Sequence, residues 1–405
     1  MTNKKIIVSA YACDPSKGSE PSNGYNWADQ LARYGHEVHC ITLSSGKKSI
    51  EKRKKGISNL NFVYVDLPFG LNRMYYWSQL GMYLHYLVWQ WFAYKKAKKI
   101  QKQYGCDLVH HISWGSLQQG SFMYRLPIPL IFGPAGGAQK APVAFKNYFG
   151  QHWSTEIKRE KMSMLLQRFN PAFRGMVKKS KVILVSNTDT MKMAQQCGAK
   201  NVVHFLDSSL PNSFFDTTKL NFIKKEDDFK LLWVGRFLPR KGILLVLDVM
   251  KGLKQFPKIT LTVVGDGETK EEFLKTIEEY NLGEQVHWVG KVPFEKVKEY
   301  YASHHAFLFT SLRDSGGVQL IEAMAYGLPV ITLDLHGQGI MVDKDRGFKA
   351  SVINPEKTIK ELQEAIVYLN KNRGELSRLS KNAYEYAKEQ TLERKIKEIT
   401  TRYYT

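Results

Sequence analysis

Sulfur is scarce in this chain. Four cysteines stand among 405 residues, Cys13, Cys40, Cys106 and Cys197, with no C-x-x-C pair and no histidine at zinc spacing. That excludes a disulfide scaffold and a zinc module, and reads as four reduced thiols in a cytoplasmic protein. Acid is also scarce, but only in the first half. Residues 1–200 hold 29 Lys+Arg against 10 Asp+Glu, whereas residues 201–405 hold 30 against 28. The net charge of +21 therefore sits almost wholly on the first half, and the two halves face different partners.

Long apolar runs are missing as well. The opening MTNKKIIVSAYA is too short and too β-branched for a signal peptide. Residues 74–93, MYYWSQLGMYLHYLVWQWFA, contain Ser78, Gln79, His85 and Gln90, which exclude a bilayer span. They read as a long amphipathic helix whose Tyr/Trp side packs in a core or lies at a bilayer interface, with the core the better fit. No G-x-G-x-x-G follows the first strand, where ACDPSKGSEPSNG stands instead, so a dinucleotide dehydrogenase is excluded. No helix-turn-helix, RNP or zinc pattern accompanies the basic clusters at 47–55, 95–99 and 158–161. Nucleic acid is therefore not expected. An anionic membrane face, reached from the cytoplasmic side, or an anionic acceptor fits those clusters better.

What is present is a repeated alternation of strand and helix. Continuous apolar runs at 4–12, 37–43, 61–67, 107–113, 129–135, 181–187 and 201–206 predict parallel strands covered on both faces. The pattern restarts at 230–236, 258–265, 285–290, 306–312 and 329–335. The polar, turn-rich stretch 207–229 reads as a linker. Two doubly wound α/β domains follow, 1–206 and 230–390, with ligands at the carboxyl ends of their strands. An amphipathic helix at 391–405 is a candidate to cross back to the first domain.

Two loops carry the chemistry. In LLWVGRFLPRKGI, residues 231–243, a strand runs into Gly235 and Arg236, and Lys241-Gly242 opens a helix. Arg236 can grip a diphosphate through two parallel hydrogen bonds, and Lys241 adds a point charge. In SLRDSGGVQLIEAMAYGLPVITLD, residues 311–334, a loop carries Asp314, Ser315, Gly316 and Gly317 into a helix starting near Val318. Its free amides and positive dipole end suit a phosphate. Gln319, Glu322 and Tyr326 fall on one helix face, so Glu322 is placed to accept hydrogen bonds from ribose hydroxyls, and Asp314 from hydroxyls at the other end of the ligand.

These stretches, VGRFLPRKG followed by DSGGVQLIEAMAYGLPVI, resemble the donor half of the retaining glycosyltransferases of family 4, with Asp314-x7-Glu322 in the place of their E-x7-E signature. YACDPSKGSEPSNGYNWADQLARYGHEV resembles the acceptor-side loop of a subgroup with a GSEP-type sequence, in which DLVHHISWGS and FGPAGG also recur. The resemblance implies the GT-B fold, two Rossmann-like domains facing across a cleft. It implies transfer of a sugar from a UDP-, GDP- or ADP-sugar to a hydroxyl of a saccharide or lipid-linked acceptor, in cell-surface polysaccharide or glycolipid synthesis. Arg236 and Lys241 would stabilise the leaving diphosphate, and Glu322 would hold the ribose. Asp314, with the amides of Ser315, Gly316, Gly317 and Val318, would hold the sugar and distal phosphate. Gly18 and Gly235 would approach the phosphates closely.

On the acceptor side, Glu20 would meet hydroxyls, and the resemblance implies a catalytic histidine near the reacting sugar at the end of the fourth strand; successive strand residues point to opposite faces, so one of His110 and His111 would take that place, His111 preferred. Neither cofactor nor catalytic metal is expected, because the cations and amides already supply the positive charge. Asp343-Lys344-Asp345 spells D-x-D but reads as a surface turn. The competing readings are a nucleotide-sugar 2-epimerase on the same fold and a non-catalytic membrane-associated binding protein.

Overall fold

Lys5–Ala10 forms the first strand, β1, and every residue after Lys5 is buried. Such a run cannot edge a half-solvated sheet; it needs cover on both faces. A computed structural model of the chain describes residues 3–17, 20–215 and 228–405 and shows that cover. Two units are resolved, the first from Met1–Ala138, Glu160–Asp207 and Leu392–Thr405, the second from Gln139–Arg159 and Ser208–Thr391.

In chain order β1 is followed by α1 (Glu20–Arg33), β2 (Glu37–Thr42), α2 (Lys47–Arg53), β3 (Leu60–Tyr64) and α3 (Gln79–Tyr104). Then come β4 (Leu108–Ser113), β5 (Leu130–Ala135), α4 (Trp153–Phe169), α5 (Pro171–Lys179), β6 (Val182–Val185), α6 (Thr188–Gln196) and β7 (Val202–His204). Among the described residues these strands make one parallel sheet in the order β3-β2-β1-β4-β5-β6-β7.

The expected helix at 74–93 begins later and runs longer, over Gln79–Tyr104, after a 3-10 turn at Leu71–Tyr76. Ser78 caps it, its side chain accepting from Gly81 N, and Gly105 ends it at φ 62°. Tyr86, Trp89, Ala93, Ala97 and Ile100 recur at helical spacing and fill one core of the first unit. The other face of the sheet is covered by α1 and by the last helix of the chain, whose Leu392, Ile396 and Ile399 join the second core.

The second unit contains β8 (Phe229–Val234), α7 (Ile243–Lys251), β9 (Ile259–Val264), α8 (Lys270–Glu279), β10 (Val286–Gly290), α9 (Phe294–Ser303) and β11 (Ala306–Phe309). It continues with α10 (Val318–Ala325), β12 (Val330–Leu333), α11 (His336–Met341), β13 (Gly347–Ala350), α12 (Pro355–Lys371) and α13 (Arg373–Glu389), before α14 (Leu392–Tyr403) rejoins the first unit. Among the described residues the sheet runs β10-β9-β8-β11-β12-β13, all parallel.

Residues 139–159, expected in the first domain, pack in the second unit. The reason is local: Ala141, Phe145 and Phe149 bury in that unit's core, and Tyr148 donates to Asp248 Oδ2 at 2.5 Å. Of the expected linker, residues 216–227 lie outside the described residues, while Leu210 N donates to Gln390 O at 3.1 Å.

Candidate active site

In the second sheet the strand order reverses between β8 and β11. Ligands of doubly wound sheets bind beside the carboxyl ends of the strands at such a point. The loops that leave β8 and β11 there are the two that the sequence singles out. They are bonded to each other: Leu312 N donates to Arg240 O at 2.8 Å, and Thr310 Oγ1 to Gly242 O at 2.9 Å. Gly242 sits at φ 66°, and a Cβ there would stand 2.3 Å from Thr310 O, so this crossing admits only glycine.

The cations on the first loop are not equivalent. Arg236 is exposed, and among the described residues its guanidinium makes no hydrogen bond or ion pair. Lys241 is buried, and its ammonium is bonded to Asp314 Oδ2. Arg240 lies 3.6 Å from the same carboxylate and donates to Arg313 O at 3.1 Å. Burial on its own would raise the Asp314 carboxyl, but Lys241 and Arg240 outweigh it and hold the group below the usual carboxylate range. Burial likewise moves the Lys241 ammonium downward against the pull of Asp314. Gly235 is half-buried and donates its N–H to Val264 O at 3.0 Å.

On the second loop, Ser315 N donates to Asp314 Oδ1 at 3.0 Å, which folds the carboxylate over the turn. Among the described residues the amides of Gly316, Gly317 and Val318 donate to no protein acceptor. Three open N–H groups at the start of α10, on the loop that is bonded to the one carrying the open guanidinium, have the chemistry to receive an anion. Glu322 lies one turn further on. It is buried, accepts from Tyr301 Oη at 3.0 Å, and burial pushes it up to about 7. Tyr326, expected on the same ligand-facing side, is buried and stacks on Tyr301 with ring centroids 5.9 Å apart.

In the first unit the corresponding reversal falls between β1 and β4. Glu20, at the start of α1, accepts from Gly115 N at 2.6 Å and joins the loops after those two strands; burial raises its carboxyl. Gly18 lies outside the described residues. The expectation that one of His110 and His111 opens on a ligand is corrected by the structure: both are fully buried.

His110 Nε2 lies 2.7 Å from Gly133 O and must therefore donate, leaving Nδ1 to accept from Tyr404 Oη at 2.7 Å. His111 is held by Ser9, Tyr86 and the carbonyl of Trp114, and stacks on Phe132 at 4.7 Å. Desolvation lowers His110 to about 4 and His111 to about 3, so both stay neutral at physiological pH. The alternation of a strand sends each ring into a different core, and here both cores are closed.

Residues 215–386 match the family described as Glycosyl transferases group 1. The second unit carries that domain. The chain is 31% identical over 193 residues to the amylovoran biosynthesis glycosyltransferase AmsD of Erwinia amylovora, covering 46% of this chain and 52% of that one. An uncharacterized glycosyltransferase of Haemophilus influenzae is 21% identical over 86% of both chains. The chain thus spans about half the length of the first curated relatives it matches.

Among solved structures, sucrose-phosphate synthase from Thermosynechococcus elongatus superposes with a TM-score of 0.67 at 17% identity, over 99% of this chain and 98% of that one. HepE of Anabaena in complex with UDP superposes with a TM-score of 0.63 at 16% identity, over 98% of both. Two parallel-sheet α/β units with these neighbours are the GT-B fold.

Three residues beside these two loops escape sequence reading. Arg240 belongs to the same cluster as Lys241 but was hidden among ordinary surface cations. Gln338, in the HGQG stretch, donates to Ser311 O at 2.9 Å from the short helix α11. Its neighbour Gly337 packs where a Cβ would meet Ser315 O at 1.9 Å. Glu156 reaches Arg313 from the first turn of α4, a contact no spacing announces. The D-x-D pair is engaged elsewhere, Asp343 with Arg346 at 2.9 Å and Asp345 with Arg378 at 3.3 Å.

Proposed function

We propose that this chain is a retaining glycosyltransferase that moves a sugar from a nucleoside diphosphate to a hydroxyl of a saccharide or lipid-linked acceptor, in cell-surface polysaccharide or glycolipid synthesis. The observation that carries the reading is the pairing of the open Arg236 with the open amides of Gly316, Gly317 and Val318 on adjacent loops at the sheet's reversal point. The group 1 match over this unit and the UDP in the HepE complex support a nucleotide sugar as the ligand.

In this reading Arg236 and the α10 amides receive the diphosphate, and Lys241 turns from Asp314 toward it as the sugar's bond to it breaks. Charge builds on the leaving phosphate oxygens, where preorganised donors act most strongly. Asp314 then holds sugar hydroxyls, and Glu322, raised by its burial, accepts from the ribose. Asp314 is paired with Lys241 and Arg240, and Glu322 with Tyr301. Neither carboxylate is poised as a nucleophile. That favours attack by the acceptor on the same face the diphosphate leaves, with the diphosphate oxygen taking the acceptor's proton. The first unit, with Glu20 at its own reversal point, binds the acceptor.

The test is a thermal-shift screen of UDP, GDP and ADP and their sugars, followed by product analysis with the stabilising donor. A midpoint raised by one nucleotide is expected. A glycosylated acceptor with the donor's anomeric configuration supports the proposal. A new sugar isomer formed from donor alone replaces it with the 2-epimerase, and no stabilisation by any donor removes it.

A further inference from the structure

The first unit carries an apolar surface that the sugar chemistry does not use. Around the turn before α3, Phe69 is 98% exposed, Tyr76 84%, Trp77 70% and Leu80 53%. One turn further along the helix Leu84 is 44% exposed. Isolated exposed apolar side chains are ordinary, but five within 16 residues on one turn and one helix start are a patch. Phe69 moreover sits at φ 56°, a conformation disfavoured for any residue with a Cβ, and Gly70 follows at 71°. The chain thus adopts a strained turn that leaves a phenyl ring in water, which a free surface gives no reason for.

A basic segment emerges beside it. The strands β2 and β3 are paired to their last residues, Thr42 opposite Tyr64. From β2 the chain enters α2 and the stretch Lys47–Lys55, with six cations and one carboxylate. From β3 it enters the aromatic turn. Lys47 Nζ stands 5.4 Å from the Tyr64 ring, and Leu67 N donates to Asn72 Oδ1 at 3.1 Å, so both segments start from neighbouring points on the same sheet edge. Lys47, Lys48, Lys52 and Arg53 are exposed. The nearby carboxylates are engaged locally, Glu51 by Tyr64 Oη at 2.8 Å and Asp66 by Ser44 N at 3.3 Å.

We infer that this edge docks on an anionic lipid bilayer, the aromatic turn entering the interface and the Lys47–Lys55 segment facing the headgroups. Trp and Tyr rings favour that boundary, having an apolar body and a polar edge, and each nearby cation adds attraction to anionic lipid. A second copy is the poorer occupant, because self-pairing would bring two cationic segments together. Among the described residues no helix is long and apolar enough to cross a membrane, and the docking inferred here is by this surface. The inference goes beyond sugar transfer and is measured without donor or acceptor, so either can fail while the other stands.

The test is co-sedimentation of the full chain with vesicles of phosphatidylcholine, alone or with a quarter phosphatidylglycerol. Recovery about tenfold higher on the anionic vesicles is expected, falling severalfold as salt screens the cations. Tyr76→Ser with Trp77→Ser, and separately Lys47→Glu with Lys48→Glu, should each lower recovery about tenfold while the melting midpoint holds. Phe69→Ser, at a nearly fully exposed position, provides a variant that cannot disturb the core and should lower recovery severalfold. Equal, salt-independent recovery on both vesicles would overturn the inference, as would variants that bind like the parent. A concentration-dependent dimer in size exclusion that the Tyr76→Ser, Trp77→Ser variant abolishes would assign the patch to a second copy instead.

Discussion

Glu156 and Arg313 meet face to face. Arg313 Nη2 donates to Glu156 Oε1 at 2.9 Å, and its Nε lies 2.6 Å from Oε2. Arg313 is the residue before Asp314, and its carbonyl is the one Arg240 grips at 3.1 Å. A carboxylate from residues 139–159 therefore helps set the loop that would receive the donor sugar, which makes Glu156 a positioning residue.

Glu156→Ala should leave a mostly buried guanidinium without its partner. A loss of about 3 kcal/mol in unfolding free energy is expected by chemical denaturation, at the lower end of what breaking a buried pair costs. The donor KM should rise more than kcat falls, because the loop is displaced and no reacting group is removed. Unchanged stability and unchanged KM would show that the pair is incidental.

Arg236→Ala removes an exposed side chain, so stability should hold within about 0.5 kcal/mol. Turnover should nevertheless fall by about 10²–10³, as when a donor to developing charge is deleted, and the stabilisation by nucleoside diphosphate should disappear. Retained turnover would dismiss Arg236 from the site.

Glu322 gives a pH signature. Its folded-state carboxyl is raised to about 7 by burial, above the ordinary value of 4.5. The folded protein then holds this proton more tightly than the unfolded chain. The group is neutral in both states below about pH 4.5, and ionising it costs stability increasingly as pH climbs from there to about 7. Measured against Glu322→Gln, which cannot ionise, the parent should lose on the order of 3 kcal/mol between pH 4 and pH 8. A pH-independent difference between the two proteins would refute the raised carboxyl.

Gly242→Ala should destabilise by about 2 kcal/mol or more, since it adds a Cβ at a left-handed backbone position and drives it against Thr310 O. The same variant should weaken nucleotide binding, because the crossing of the two loops is what it disturbs. Thermal unfolding with and without the stabilising nucleotide reads both effects.

Much of the architecture is legible along the chain. Runs such as KLLWVGR and AFLFTSL lack polar alternation, which only a strand covered on both faces tolerates, so β8 and β11 can be read directly, while their adjacency in the sheet comes from the structure. The short edge strand β13, GFKA, has too little apolar length to announce itself and exists because Gly347 lets its backbone close on Val330. Phe145 and Phe149 signal burial, but apolar pattern does not say in which core, and they belong to the second.

The sequence alone thus determined two parallel α/β sheets and the loops bearing Arg236, Lys241, Asp314 and Glu322, because periodicity and local turn chemistry act over a few residues. Only the tertiary structure decided that Lys241 pairs with Asp314 while Arg236 stays open, that both histidines are sealed, and that Glu156 braces Arg313. Those outcomes depend on burial and on charges brought together from up to 157 residues apart, and desolvation and Coulomb attraction are set by distance in space.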